Sequence, residues 1–196
     1  MRITALMSIA AGTTVWAAPP AVTANRSLTV CLETGTDGLI RSTAAPIASR
    51  VFASIGVRIN WGPDTDACRK NQGAITVHLS YATRSTRAPH AWASARPFGA
   101  AEIVVFYDRI QETMRTRHAP RLLSYVLVHE ITHVLQGVDG HSGVGIMKAA
   151  WDDDDLFEMN WERLQFAPQD VSLIYLGLEG RAGRLIASKL SPAGLQ

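Results

Sequence analysis

Two histidines and a glutamate stand in a spacing that suits metal chemistry. The segment His129-Glu130-Ile131-Thr132-His133 places the two histidines four residues apart. On a helix, positions i and i+4 lie on one face, so both imidazoles can bind one metal ion. Glu130 lies beside this pair, where its carboxylate can take a proton from water without binding the metal. Imidazole nitrogens suit zinc, and a catalytic zinc keeps one position open for water.

A catalytic zinc takes a third protein ligand, and the residues after the motif offer candidates. His141 is favoured because histidine is the commoner zinc ligand and Gly140 before it frees the backbone. Asp139 is the alternative ligand, or it could orient a ligating imidazole from behind. Glu158 and Glu162 are a further possibility, because some zinc sites take a glutamate from a later helix.

The sequence also predicts a helix that would hold these histidines rigidly. Apolar residues at helical spacing predict one buried face, and Pro120 suits the first turn of a helix. Gly137 stands where a left-handed residue ends a helix. The residues of the apolar face are Leu123, Leu127, Ile131 and Val134. We therefore expect an active-site helix from Pro120 to Gly137 that holds the histidine pair in place.

The stretch from His129 to Ser142, followed by Gly145-Ile146-Met147, resembles the metzincin zinc peptidases. Its His-Ser…Met run is most similar to the matrixin branch, and exported bacterial proteins share the ending His-Ser-x-x-Gly-Ile-Met, which implies a divergent metzincin-like family. The resemblance implies these roles: zinc ligands His129, His133 and His141, general base Glu130, helix-ending turn Gly137 and hydrophobic floor Met147. Asp139 stands at the family's usual spacing for the third ligand, so the aspartate alternative stays open.

Hydrophobic periodicity predicts an α+β fold that is close to α/β. The patterns predict strands at 28–32, 57–61, 74–81 and 101–107, and helices over 40–55, 120–137 and 168–177. The segment from 82 to 97 looks irregular, and the residues from Gly180 resemble a loose tail. The resemblance implies a metzincin-type zincin domain, in which a twisted, mostly parallel sheet has an antiparallel edge strand, the active-site helix and a C-terminal helix.

The same resemblance places the strand at 101–107 along the cleft, where an extended peptide could pair with its free edge. Tyr107 and the strand backbone are the candidates for a second oxyanion donor. The expected activity is peptide-bond hydrolysis by a zinc-activated water with Glu130 as general base. The alternative from another functional class is an exported zinc-binding interaction module without turnover.

The N-terminus predicts export. A positive charge precedes an apolar run, and small residues allow cleavage near Ala17 or Ala18, so we expect a signal peptide at 1–17. A flexible lead-in at 18–27 and a single catalytic domain at 28–196 follow. The apolar run is interrupted and shorter than the ~20 residues that span a bilayer, so no membrane anchor is expected after processing. We expect the protein to be secreted or periplasmic.

Composition narrows the possible partners. The net charge of +2 over 196 residues gives no field that would attract nucleic acid. The expected partner is a peptide or protein substrate, and the enzyme is expected to be a monomer. The chain contains two cysteines, Cys31 and Cys68. An even number of cysteines in an exported chain predicts a disulfide between them.

The remaining potential ligands are interpreted as structural or solvent-exposed. They are His78, His90 and His118. The acidic run from Asp152 to Asp155 is interpreted as a solvated turn or helix N-terminal charge rather than a calcium site, because it lacks spaced ligands and a loop glycine.

Overall fold

The structure is a computed structural model that describes residues 26–33, 38, 40–71, 73–81, 91–96, 101–113 and 118–190, apart from the side chains of 41 and 187–190. The predicted signal peptide lies outside this part of the chain. The described strands are β1 Ser27–Leu32, β2 Arg58–Pro63, β3 Ile75–Ser80, β4 Ala93–Arg96 and β5 Glu102–Phe106. The described helices are α1 Ala45–Ser54, which follows a π-helical turn at Ile40–Ala44, α2 Asp66–Arg69, α3 Tyr107–Thr113, α4 Ala119–Gln136, α5 Asp153–Asn160 and α6 Pro168–Leu190.

The strands form one sheet in the order β2-β1-β3-β5-β4. β1, β2, β3 and β5 run parallel, and β4 pairs antiparallel with β5 at the edge. Val30, Val77 and Ile103 are fully buried, because alternate residues along each strand face the helices. The predicted α+β fold, with a mostly parallel sheet and an antiparallel edge strand, is confirmed.

The edge strand lies in the segment that looked irregular in the sequence. β4 pairs with β5 through Ala93↔Val105 and Arg96↔Glu102, so β5 has neighbours on both sides. The expectation that residues 101–107 present a free edge is therefore wrong, and that edge belongs to β4. The sequence Ala-Ser-Ala-Arg contains no β-branched or aromatic residue, so its strand conformation depends on pairing with β5 rather than on intrinsic propensity.

α4 is the central helix of the fold. Leu123, Leu127 and Ile131 are fully buried on it, and the helix contacts α1, α6 and β4. Pro120 stands in its first turn, and the helix ends at Gly137, whose φ of 67° is left-handed. The structure thus places both ends of α4 within one residue of the bounds that the sequence predicts, and neighbouring elements hold the helix on several sides.

The C-terminal helix is longer than its sequence pattern indicated. α6 continues to Leu190, so the expected helix end near Gly177 and the expected loose tail from Gly180 are wrong. Gly177 lies where α6 meets α4, and a Cβ atom there would overlap the backbone carbonyl oxygen of Leu135. This glycine permits a close helix crossing and does not end the helix. No helix in the described part of the chain is both long and apolar enough to cross a bilayer.

A disulfide joins Cys31 of β1 to Cys68 of α2, the pair that the cysteine count predicts. It links residues separated by 37 positions, which corresponds to about 4 kcal/mol of stabilisation through the lower entropy of the unfolded chain. Gly62 on β2 lies against the bond, since a Cβ atom there would stand 2.8 Å from the Cys68 sulfur. The disulfide therefore fastens the α2 segment to the sheet.

Replacing Gly177 by alanine should lower the free energy of unfolding by about 1–3 kcal/mol, because the added methyl group forces α6 away from α4. Gly183 on the same helix is the matched control, since nothing lies within 4 Å of a Cβ atom added there. Gly183→Ala should raise the free energy of unfolding by about 0.5–1 kcal/mol through helix propensity. Chemical denaturation measures both, and a stabilising Gly177→Ala would contradict the close crossing.

Candidate metal centre

Three histidine side chains meet at the C-terminal half of α4. One ring nitrogen of each of His129, His133 and His141 lies within 4.8 Å of the other two. The ring centroids are 4.7 Å apart for the first and second, 5.3 Å for the first and third, and 4.9 Å for the second and third. Successive helical turns supply two of these side chains, and the loop after Gly137 supplies the other. The structure therefore brings together the ligand set that the sequence analysis favours.

Hydrogen bonds fix which ring nitrogens face one another. His129 Nδ1 lies 2.9 Å from the carbonyl oxygen of Ile146, and His133 Nδ1 lies 3.1 Å from that of Val138. Because a carbonyl oxygen only accepts, each Nδ1 must carry the hydrogen of its ring. Each neutral ring then presents the lone pair of Nε2, and the two Nε2 atoms are 3.0 Å apart. Two lone pairs at this distance repel, and a cation bound between them removes the repulsion.

Burial favours the neutral form of these rings. Desolvation lowers the pKa of His129 to about 4, although the hydrogen bond to Ile146 acts in the opposite direction. Burial also lowers the pKa of His133, and the nearby ring of His141 adds to that effect. Since zinc binds neutral imidazole, the donor set fits this metal.

Glu130 lies in the same cleft as the histidines. It is 9% exposed, and burial raises its pKa to about 7, while a hydrogen bond from the Ala95 backbone opposes the rise. A carboxylate with a pKa near neutrality can both accept and release a proton. The contact with Ala95 could not be predicted, because it depends on β4.

A tight turn brings the chain back to the histidines. The Ser142 N–H donates to the Met147 carbonyl at 2.7 Å, and the Ile146 N–H donates to the Gln165 carbonyl at 3.0 Å. Gly145 has a φ of 73°, and a Cβ atom there would overlap the Gln165 carbonyl oxygen, so this position requires glycine. Met147 is fully buried within the turn, and its role as a hydrophobic floor stays a prediction.

The other predicted ligand candidates lie outside the three-histidine group. Asp139 lines the cleft, but its carboxylate is not among the atoms that converge. Glu158 accepts two hydrogen bonds from Arg163, at 2.9 and 3.0 Å. Glu162 accepts two from Arg50, at 2.9 and 2.8 Å. Both glutamates are therefore held by ion pairs rather than directed at the histidines.

A cleft of about 480 Å³ contains the histidines and Glu130, and β4 forms one of its walls. Trp92 and Trp151 stack within it with ring centroids 5.9 Å apart, and Trp151 also meets His129 edge-on at 5.5 Å. The Trp92 indole N–H donates to Thr113 Oγ1, and the Trp151 indole N–H donates to the Ile146 carbonyl, both at 3.1 Å. These anchored indoles form an aromatic wall that the sequence analysis missed, since no local pattern pairs residues 59 positions apart.

Tyr107, the predicted candidate for an oxyanion donor, does not line this cleft. It is 2% exposed and packs edge to face against Tyr81. The strand whose residues line the cleft is β4.

His78 belongs to a second cluster, away from the cleft. Its Nδ1 lies 3.2 Å from Glu33 and 3.7 Å from Asp64, and its Nε2 lies 3.3 Å from Glu102. The Asp64 carboxylate also pairs with Arg69 at 2.6 Å. Because the cluster already contains a cationic side chain, we assign it to ion pairing on the sheet, in line with the structural role expected for His78.

The acidic run after the cleft begins a helix. Asp152 accepts a hydrogen bond from the Asp155 backbone at 3.0 Å, and the Asp155 side chain accepts one from the Asp152 backbone at 2.9 Å. These reciprocal bonds form the capping box of α5. Lys148 pairs with both carboxylates. The run is therefore helix N-terminal charge. His118 is exposed before α4, and His90 lies outside the described residues.

Two solved structures share this fold. Archaemetzincin from Methanopyrus kandleri is 17% identical, with a TM-score of 0.53, over 82% of this chain and 98% of that chain. A zinc-dependent peptidase from Methanocorpusculum labreanum is 13% identical, with a TM-score of 0.52, over 75% of this chain and 99% of that chain. At these identities the likeness concerns the fold. No protein-family model and no curated protein matches the chain.

Zinc affinity should distinguish His141 from Asp139 as the third ligand. We expect His141→Ala to weaken zinc binding by more than about 100-fold, because it removes a converging nitrogen. We expect Asp139→Ala to weaken it by about tenfold at most, as for a group outside the ligand set. Chelator competition on the purified proteins measures both, and a larger loss for Asp139→Ala would reverse the assignment.

Proposed function

We propose that this chain is a secreted zinc-dependent peptidase whose metal is held by His129, His133 and His141. The observation that carries the proposal is the pair of facing Nε2 atoms, 3.0 Å apart, with both Nδ1 atoms committed to carbonyl oxygens. The imidazole of His141 completes the group. The two structural neighbours are an archaemetzincin and a zinc-dependent peptidase, which supports the same function.

Zinc held there would supply Lewis-acid chemistry, since it acidifies water and polarises the carbonyl group of a peptide. Glu130 moves the proton in this proposal. Its carboxylate accepts a proton from the attacking water and donates it to the leaving amine. A pKa raised to about 7 suits both transfers, because neither protonation state is then strongly favoured near neutral pH.

The substrate in this proposal is an extended peptide, and the edge of β4 positions it. Among the described strands, β4 has β5 on one side only, so its other side presents backbone groups that a peptide can pair with. The small side chains of Ala93 and Ala95 allow a backbone to approach this edge, while Trp92 and Trp151 supply apolar surface for a substrate side chain. The preference for particular substrate side chains would then arise from contacts with the two indoles rather than from pairing with β4.

Export forms part of the same proposal. The predicted signal peptide at 1–17 would direct the chain out of the cytoplasm to a secreted or periplasmic location. The Cys31–Cys68 disulfide is compatible with such a compartment, because disulfides persist in oxidising environments.

Glu130→Gln is the direct test of the proposed reaction. The variant should still bind one zinc per chain, because the three histidines remain, but its peptide hydrolysis should fall by about 100- to 10 000-fold. Metal analysis and cleavage of a mixed peptide library measure the two effects. Glu112→Gln, at an exposed position on α3, is the matched control and should keep wild-type activity. Wild-type protein that binds zinc but cleaves no peptide would favour the exported zinc-binding module instead.

A further inference from the structure

The third histidine stands on a segment that cannot position it alone. Between Gly137 and Asp153 the chain forms turns and bends without a helix or strand, and His141 is exposed within it. Ordering the backbone of a loop residue opposes folding, so a rigid ligand here requires contacts from outside the segment. His129 and His133 are held rigidly because they lie on α4, whereas His141 lies in a loop and has no helix to hold it.

Contacts from the helical histidines hold the loop on both sides of His141. The His133 ring binds the carbonyl of Val138, three residues before it, and the His129 ring binds the carbonyl of Ile146, five residues after it. Neither bond fixes the residues next to His141. Ser142 makes two contacts at that point. Its N–H donates to the Met147 carbonyl within the loop at 2.7 Å, and its hydroxyl donates outside the loop to Asp170 Oδ1 at 2.6 Å.

Asp170 is well placed to fix that point of the loop. It is 3% exposed and lies in the first turn of α6, where the helix N-terminus favours a negative charge. Its Oδ1 also accepts a hydrogen bond from Gln136 on α4 at 3.4 Å. One carboxylate oxygen therefore joins α6, the end of α4 and the loop residue after His141.

We propose that Asp170, acting through Ser142, is the positioning residue that holds His141 at the metal. This positioning role rests on the proposed zinc site. The aspartate touches neither the metal nor a substrate. It restricts the backbone at Ser142, and this restriction limits the directions in which the His141 imidazole can point. Outer hydrogen bonds of this kind commonly set metal affinity.

The experiment measures zinc affinity of the full-length chain by chelator competition for wild type, Ser142→Ala, Asp170→Ala and Asp170→Asn. Thermal unfolding of each metal-free variant and the cobalt(II) absorption spectrum of each cobalt-loaded variant are recorded alongside. Cobalt reports the ligand set and geometry, which a purely structural contribution would leave unchanged. Ser172→Ala is the matched control, because Ser172 donates to the Pro168 carbonyl in the same turn of α6 but is exposed.

We expect zinc binding about tenfold weaker for Ser142→Ala and for Asp170→Ala, with an altered cobalt spectrum in both. The Ser142→Ala/Asp170→Ala double variant should bind no more weakly than Asp170→Ala alone, since both changes remove the same hydrogen bond between Ser142 and Asp170. Asp170→Asn keeps an acceptor oxygen for Ser142 and should retain most of the wild-type affinity. Ser172→Ala should match wild type in affinity and spectrum. If Asp170→Ala does not fold, Ser142→Ala and Asp170→Asn carry the same comparison.

Three outcomes would overturn the inference, and one of them also rejects the proposed function. Wild-type affinity and spectrum in Ser142→Ala, with only the thermal midpoint lowered, would make the contact structural. Equal losses in Asp170→Asn and Asp170→Ala would show that the charge of Asp170 acts, rather than its hydrogen bond. A wild-type chain that binds no zinc would reject the metal site itself, and the positioning role with it.

Discussion

The arrangement of the site depends on two hydrogen bonds that each join a helix side chain to a loop carbonyl. His129 donates to Ile146, and His133 donates to Val138, through Nδ1 in both cases. These bonds choose the tautomer and turn each Nε2 inward, so the helix alone does not prepare the pair for a metal. The loop that supplies the carbonyls also carries His141. Helix and loop therefore orient one another, and the converging nitrogens are a joint product of both.

Close backbone approach at glycines makes this mutual orientation possible. Gly145 lies against the Gln165 carbonyl oxygen, and Gly177 lies against that of Leu135. The first contact fastens the turn of the loop to the segment before α6, and the second fastens α6 to α4. A side chain at either position would separate elements that hold the histidines. Gly137 has the different task of ending α4 in a left-handed conformation, so that the chain can turn back.

The parts of the fold that the sequence could predict are those specified by nearby residues. The spacing of His129 and His133 and the apolar face of α4 are local patterns, and so is the glycine that ends the helix. β4 could not be predicted, because Ala93–Arg96 becomes a strand only through pairing with β5. Gly177 carries the same local signal whether it ends a helix or permits a crossing. The role of Asp170 is invisible to any local pattern, since Ser142 lies 28 positions away.

Strand β4, which the sequence did not predict, contacts Glu130 directly and so affects its pKa. The backbone of Ala95 on β4 donates a hydrogen bond to Glu130, which lowers the pKa of the carboxylate against the larger effect of burial. The edge of β4 is also the surface where a peptide strand would pair. One row of backbone groups thus serves both the carboxylate and the proposed substrate. The pKa of Glu130 therefore depends on the edge strand as well as on burial, and a motif confined to α4 does not include the contact with Ala95.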